Sequence, residues 1–217
     1  MTKEEKEAKA KEKLQKERAR LYGMSEYERK YSECEYICGV DEVGRGPFAG
    51  PVMAGAVILP KDCEILYLND SKKLSVKRRE ALYAEICEKA VSYHVARVEP
   101  ERIDEVNILQ ATLEAMREAI NNLSVKPDII LVDAVHIPDI DIEQESIVKG
   151  DAKSVSIAAA SIVAKVTRDH VMEEYAKEYP GYGFERNMGY GTAEHREALG
   201  RLGATPIHRR TFIHNYV

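Results

Sequence analysis

The sequence contains no apolar run approaching the roughly 20 residues needed to cross a bilayer. Its first residues are charged from Lys3 onward and carry no apolar core segment, so they do not read as a secretory signal. The cytosol is therefore the expected compartment, and no membrane partner is expected. The four cysteines (Cys34, Cys38, Cys63, Cys87) form no CxxC pair, and no second pair with zinc-ligand spacing follows Cys34 and Cys38. Reduced thiols, some of them buried, are the expected state in that compartment. There is no internal repeat. There is also no basic excess of the kind a general nucleic-acid binder carries: 32 Lys and Arg face 37 Asp and Glu, for a net charge of −5. That objection weakens if several acids share one metal site, because two divalent cations would cancel most of the excess. Basic residues do cluster locally, at Lys72, Lys73, Lys77, Arg78 and Arg79, and again at His208, Arg209 and Arg210.

What is present fits one main domain with an appendage. A chain of 217 residues, 44% hydrophobic and 32% charged, can bury a core without staples. Thr2 to Arg20 is dense in Lys and Glu, many of them at helical spacing, with Leu14 as the one large apolar residue in that stretch and Leu21 just beyond it. Residues 1–30 therefore read as a charged, helical arm, and residues 31–217 as the main domain. A helix polar nearly all round is a surface arm or is marginal alone. The arm is either a frayed extension or a contact for nucleic acid or a partner.

Beyond the arm the pattern changes. Tyr36–Val43 and Val52–Leu59 read as strands, with Gly44, Gly46, Pro47, Gly50 and Pro51 between them. Ser75 caps a helix through Ala90 that carries Leu82, Ile86 and Ala90 on one face. Val91–Val98 alternates like a strand. Asn107 and Gln110 have capping-box spacing, opening a helix to about Leu123 that buries Leu109, Leu113, Met116 and Ile120. Pro127 releases a short apolar strand, Ile129–Val132, ending at Asp133. A further strand is expected near Ser146–Lys149, then a long helix from about Ser154 to Glu178. Gly181, Gly183, Gly189 and Gly191 mark an irregular loop, and Thr192 caps a last helix of about three turns. Strands joined by short turns, followed by alternating helix and strand, imply an α/β fold with a mixed sheet covered by helices.

Asp41, Glu42, Asp133 and Asp151 each close a predicted strand or the turn after it. In such sheets ligands gather beyond strand ends. Four carboxylates meeting there would repel one another unless cations were present. Hard divalent cations with oxygen ligands resolve the repulsion, Mg²⁺ being the usual choice. Two such ions about 4 Å apart can clamp a phosphate. Taken singly, an acid at a strand end is more often a cap than a ligand. Adjacent strand residues also point to opposite faces, so Asp41 and Glu42 share a site only if the chain twists or leaves the strand there. Arg45, between Gly44 and Gly46, has a permissive backbone that can approach a sugar hydroxyl and a guanidinium that can pair with phosphate. The loop Tyr179–Thr192 interleaves Tyr182, Phe184 and Tyr190 with glycines and Arg186. It reads either as a stacking platform for sugars or bases or as a packed aromatic turn.

Taken together, these segments resemble ribonuclease HII, the type 2 ribonuclease H. The resemblance rests on CGVDEVGRGPFAGPVMAGAVIL (Cys38–Leu59), LNDSKKLS (Leu68–Ser75), VNILQATLEAM (Val106–Met116) and VDAVHIP (Val132–Pro138). It continues through VKGDAKSVSIAAASIVAKVTRD (Val148–Asp169), GYGT (Gly189–Thr192) and HRRTF (His208–Phe212). It implies a ribonuclease H-like fold, a mixed five-stranded sheet flanked by helices, with a helical C-terminal part. It implies Asp41, Glu42, Asp133 and Asp151 as catalytic metal ligands for two Mg²⁺ or Mn²⁺ ions. Asp41 is expected to bridge the two ions, Glu42 and Asp133 completing one site and Asp151 the other. The Gly44–Arg45–Gly46 backbone is expected to read the ribonucleotide 2′-hydroxyl, and Tyr190 to stack on the neighbouring deoxyribose. Lys72, Lys73, Lys153 and Ser154 are candidates for holding phosphates, with ordinary solvated charge as the alternative. His136 and His195 are expected to be structural. The implied substrates are RNA/DNA hybrids and DNA duplexes containing ribonucleotides, cut on the 5′ side to leave 3′-hydroxyl and 5′-phosphate ends, by a monomer. The arm does not resemble the larger N-terminal domain of type 3 enzymes. Two other classes stay open: a non-catalytic hybrid-binding module and a small-molecule metal phosphohydrolase.

Overall fold

The computed structural model describes residues 2–216. Five strands form one mixed sheet: β1 (Ile37–Val43), β2 (Val52–Ile58), β3 (Ser92–Val98), β4 (Ile129–Asp133) and β5 (Glu143–Ile147), in spatial order β3-β2-β1-β4-β5. β1, β2 and β3 pair antiparallel; β4 and β5 add parallel to β1. Among the described residues there are eight α-helices: α1 (Lys3–Met24), α2 (Glu26–Lys30), α3 (Val76–Lys89), α4 (Pro100–Asn121), α5 (Val155–Glu178), α6 (Phe184–Asn187), α7 (Ala193–Leu202) and α8 (Arg210–Ile213). No helix among the described residues is long and apolar enough to cross a membrane.

The sheet is buried on both faces, which is why β2 reads as an unbroken apolar run rather than an alternation. On one face Val40, Ala54, Ala56, Ile130 and Val132 pack against Ala111, Ala115, Met116 and Ala119 of α4. On the other, α5 crosses close over β1 and β2. A Cβ at Gly39 would lie 2.1 Å from the carbonyl carbon of Ser156, so only glycine admits the helix there. Ile162 and Val163 of α5 meet Leu82 and Ile86 of α3 in a second cluster. Each such fully buried aliphatic side chain contributes about 1.5–3 kcal/mol relative to exposure.

Four sequence expectations need correction. The strand expected near Ser146–Lys149 lies earlier, at Glu143–Ile147, and Lys149 takes a left-handed conformation (φ 58°) leading into one 3₁₀ turn. Its segment EQES is polar because it forms a sheet edge. The helix capped by Asn107 is present, Asn107 Oδ1 accepting from the N–H groups of Leu109 (3.0 Å) and Gln110 (3.2 Å). It is preceded by a further helical segment starting at Pro100, a favoured first helical residue, with a kink at Asn107 (φ 70°). Leu109 is 45% exposed rather than buried, because it sits on the first turn after that kink. The loop between α5 and α7 is not wholly irregular, since Phe184–Asn187 form the single turn α6. The cysteines are all free, Cys38 being buried.

The arm is helical, closed at its N-terminus by a capping box between Thr2 and Glu5. Its second half touches the body. Arg18 pairs with Glu64, Glu17 accepts from the N–H of Tyr67, and Arg20 bonds the Leu68 carbonyl.

Candidate active site

The register explains why two of the four acids meet. Val40 pairs with Val132 across the parallel β1–β4 ladder, which ends there. Asp41 and Asp133 are the next residues on neighbouring strands, and in-register neighbours project to the same face. That face is the one under α5, where Gly39 and Gly55 let the helix approach. Ser161 of α5 lies close enough to Asp41 to oppose the rise of its carboxyl, and the Ser161 hydroxyl lies 3.0 Å from that of Ser71. Thus the Asp70–Lys73 turn is tied to Asp41 through two buried serines, neither singled out in the sequence.

Asp133 is the hub of the acids. Its charge acts on Asp41, Glu42 and Asp151 alike. Asp41 is only 6% exposed, and its carboxyl is held well above the ordinary range, first by burial and then by the charges of Glu42 and Asp133. Burial also raises Glu42, against the attraction of Arg45. Asp151 is raised by burial and then by Asp70 and Asp133, while Lys72 opposes the shift. Asp70 is thus a fifth acid beside the cluster. It caps its own turn by accepting from the Lys72 N–H at 2.9 Å. Although strand residues alternate, the Glu42 charge acts on Asp41 and the Asp133 charge on Glu42, just past the end of the β1–β4 ladder at Val40.

The donor set fits hard divalent cations: carboxylate oxygens alone, mutually repelling, with no sulfur or imidazole among them. Among the described residues, no three acidic, histidine or cysteine side chains converge tightly enough to enclose an ion by themselves. Asp133 commits Oδ1 to the Gly150 N–H (2.7 Å), Asp41 commits Oδ1 to the Glu42 N–H (2.8 Å), and Glu42 leans toward Arg45 (3.5 Å). With these commitments the acids are loosely grouped and do not form a closed cage.

Beside the acids, the Gly44–Gly46 loop is shaped by two buried arginines. Arg209 donates to the carbonyls of Gly44 (2.6 Å), Arg45 (3.0 Å) and Gly50 (3.0 and 2.8 Å). Arg168 donates to Pro51 (2.9 Å), Met188 (2.9 Å) and Ala49 (3.1 Å). Burial, followed by the Arg168 charge, pushes the Arg209 guanidinium down to about 9, still protonated at neutral pH. Gly44 has φ 87°, and a Cβ there would strike Arg168 Nε at 2.2 Å, so glycine is required twice over. The expected basic cluster at 208–210 is therefore not a surface patch. His208 and Arg209 are buried and organise loops, and only Arg210 is exposed. At the other cluster Arg79 is likewise turned inward to the Ser71 and Leu74 carbonyls, whereas Lys72 and Lys73 stay exposed. Lys153 is also exposed, and Ser154 is buried as the N-cap of α5.

Tyr190 adjoins this loop. A Cβ at Gly46 would meet Tyr190 Cε1 at 3.6 Å, and Gly189 accepts from the Phe48 N–H at 2.8 Å. Tyr190 is 45% exposed, whereas Tyr182 and Phe184 are buried and stack on each other. Of the three aromatics expected as a platform, one is available, because the other two fill the core under α7. A neutral histidine pair holds the Tyr190 backbone. The Thr205 N–H donates to His208 Nδ1 (2.9 Å), leaving His208 Nε2–H to donate to His195 Nε2 (3.0 Å) and His195 Nδ1–H to the Tyr190 carbonyl (3.0 Å). Burial, then the His195 neighbour, pushes His208 down to about 4, consistent with this neutral relay. His136 is exposed and apart from it.

The comparisons with known proteins agree with this architecture. The ribonuclease HII family model matches residues 38–215. Ribonuclease HII of Lachnoclostridium phytofermentans is 64% identical over 94% of this chain and 80% of its own length. That of Acetivibrio thermocellus is 53% identical over 98% and 84%. Ribonuclease H2 from Pyrococcus horikoshii OT3 superposes with a TM-score of 0.67 at 32% identity, covering 81% of this chain and 93% of that one. Ribonuclease HII from Archaeoglobus fulgidus, solved in complex with PCNA, gives a TM-score of 0.65 at 30% identity, covering 80% and 93%. The mixed sheet with its flanking helices, together with these relatives, defines a nuclease of the ribonuclease H class. Within that class the chain belongs to the ribonuclease HII family, enzymes with ribonuclease H endonuclease activity that depend on divalent metal.

Proposed function

We propose that this enzyme hydrolyses the RNA strand of RNA/DNA hybrids and incises 5′ of ribonucleotides embedded in duplex DNA, leaving 3′-hydroxyl and 5′-phosphate ends. The observation that carries the reading is that Asp133, anchored to the Gly150 N–H, lies near enough for its charge to act on Asp41, Glu42 and Asp151, beside a glycine-flanked loop and an exposed tyrosine. Asp41, Glu42, Asp133 and Asp151 would hold two Mg²⁺ or Mn²⁺ ions. When bound, such ions acidify the attacking water and stabilise the departing 3′-oxygen. The chain's own residues do the rest. Asp133 and Asp41 fix the cleft through their backbone hydrogen bonds. Lys72, exposed and close enough to act on Asp151, is suited to a backbone phosphate. The Gly44–Arg45–Gly46 peptide groups, locked from behind by Arg209, face the 2′-hydroxyl, the group that separates RNA from DNA at one position. Tyr190 stacks on the sugar that follows. No histidine is needed as a base, and the buried pair His195–His208 serves to hold Tyr190. The enzyme acts as a cytoplasmic monomer.

Tyr190→Ala tests the selectivity half of this reading. Loss of one stacking platform is worth about 1–3 kcal/mol. Cleavage at a single ribonucleotide in a duplex should fall about tenfold or more relative to cleavage of a long hybrid, where other registers compensate. Equal losses on both substrates would mean that Tyr190 only packs its loop. Incubation of a labelled hybrid with Mg²⁺ or Mn²⁺, beside free nucleotides as substrates, separates the nuclease from a binding module and from a small-molecule phosphohydrolase.

A further inference from the structure

Residues 25–31 link the arm to the body directly beside the segment that carries Asp151. Ser25 bridges Ser154 in antiparallel fashion. Glu28 Oε1 accepts from Ser154 Oγ at 2.5 Å and from the Ser156 N–H at 3.0 Å, reaching across 126 and 128 residues. Ser154 is itself the N-cap of α5, accepting from the Ile157 N–H at 3.2 Å. The Glu28 carboxylate thus sits on a helix start, satisfies an N–H with no intrahelical partner, and places negative charge where the helix dipole favours it. Asp151 lies three residues before that cap.

The other side of the same segment is also gripped. Lys30 Nζ binds Glu145 Oε2 at 2.6 Å, and the Tyr31 hydroxyl bonds the same carboxylate. Glu145 belongs to β5, which runs into Lys149–Asp151. Between these two grips the chain passes through a left-handed residue and one 3₁₀ turn, anchored by the Gly150 N–H on Asp133. Tyr27 and Tyr31 do pack against the Ile147 and Ile157 cluster, which would suffice to dock a plain extension. Docking alone does not call for a carboxylate at the start of α5. Nor is the arm a continuous packed layer, since a cavity of about 550 Å³, lined by Arg18, Tyr22, Glu28, Lys61 and Leu68 among others, lies between it and the body.

We propose that Glu28 is a positioning residue for the acidic cleft: through Ser154 and Ser156 it fixes the start of α5 and so sets the place of the Asp151 carboxylate against Asp133. The proposal rests on the reading of Asp151 as a metal ligand. Groups that orient a ligand from behind typically matter 10–100-fold in metal affinity.

The test uses the full chain and three variants, Glu28→Ala, Glu28→Gln and Asp151→Asn. Mn²⁺ binding is read by calorimetry without substrate, and amide hydrogen exchange is read in the metal-free protein. Glu28→Ala should weaken Mn²⁺ binding about tenfold and speed exchange in residues 149–157 while leaving β2 protected. Glu28→Gln, which keeps an acceptor oxygen, should restore most of both. Parent-like Mn²⁺ affinity and protection in Glu28→Ala would overturn the proposal. So would loss of protection spreading equally to β2, which would mark general loosening. If Asp151→Asn itself binds Mn²⁺ like the parent, the metal reading of Asp151 fails and the positioning role falls with it. If Asp151→Asn weakens binding and Glu28→Ala does not, only the positioning role is lost.

Discussion

Asp133→Asn is expected to reduce Mg²⁺-supported cleavage of an RNA/DNA hybrid by about 10³-fold or more, equivalent to at least ~4 kcal/mol of transition-state stabilisation. The substitution changes little else. Asparagine has the same shape, and its carbonyl oxygen can still accept from the Gly150 N–H that Asp133 binds at 2.7 Å. The fold and some duplex binding should therefore survive. Removing the charge that acts on Asp41, Glu42 and Asp151 also relieves repulsion in the metal-free cleft, so the variant should unfold no earlier than the parent. Single-turnover cleavage with parallel thermal unfolding reads both halves. Near-parent turnover would rule out the metal assignment.

The second large effect concerns stability. Arg209→Met removes a buried guanidinium that satisfies the carbonyls of Gly44, Arg45 and Gly50. Each orphaned buried acceptor costs about 1–3 kcal/mol. A loss of roughly 3 kcal/mol or more follows, lowering the unfolding midpoint by about 6 °C or more for a chain of this size. Arg209→Lys should recover little, because one ammonium cannot replace a planar fork reaching three carbonyls. The same variants should lose discrimination for a single ribonucleotide, since the loop they release is the one proposed to meet the 2′-hydroxyl. An unchanged midpoint in Arg209→Met would mean that these hydrogen bonds are replaced by water at no cost.

These expectations show which parts of the molecule were legible in the residues alone. The acids Asp41 and Asp133 were readable as site candidates because apolar β runs stop at them, and Ser75, Asn107 and Thr192 were readable as caps because capping is local chemistry. The expected mixed sheet and flanking helices are present. The edge strand β5 was misplaced because an edge strand with polar residues carries no burial signal. Arg209 read as part of a basic cluster and Arg168 drew no reading of its own, because nothing local distinguishes an arginine that solvates from one that satisfies three carbonyls far away in sequence. Tyr182 and Phe184 looked as available as Tyr190, since burial inside a glycine-rich loop depends on which helix covers it. The Ser71–Ser161 link and the reach of Glu28 to Ser156 join residues 90 and 128 positions apart, a separation at which periodicity is silent.

The most direct test of the account is to cleave a DNA duplex carrying one ribonucleotide, in Mg²⁺, and map the cut and its ends. The account predicts a single break on the 5′ side of the ribonucleotide, with a 3′-hydroxyl and a 5′-phosphate. A break on the 3′ side, or a 2′,3′-cyclic phosphate, would place the attack on the 2′-oxygen and contradict hydrolysis by water held among these four carboxylates.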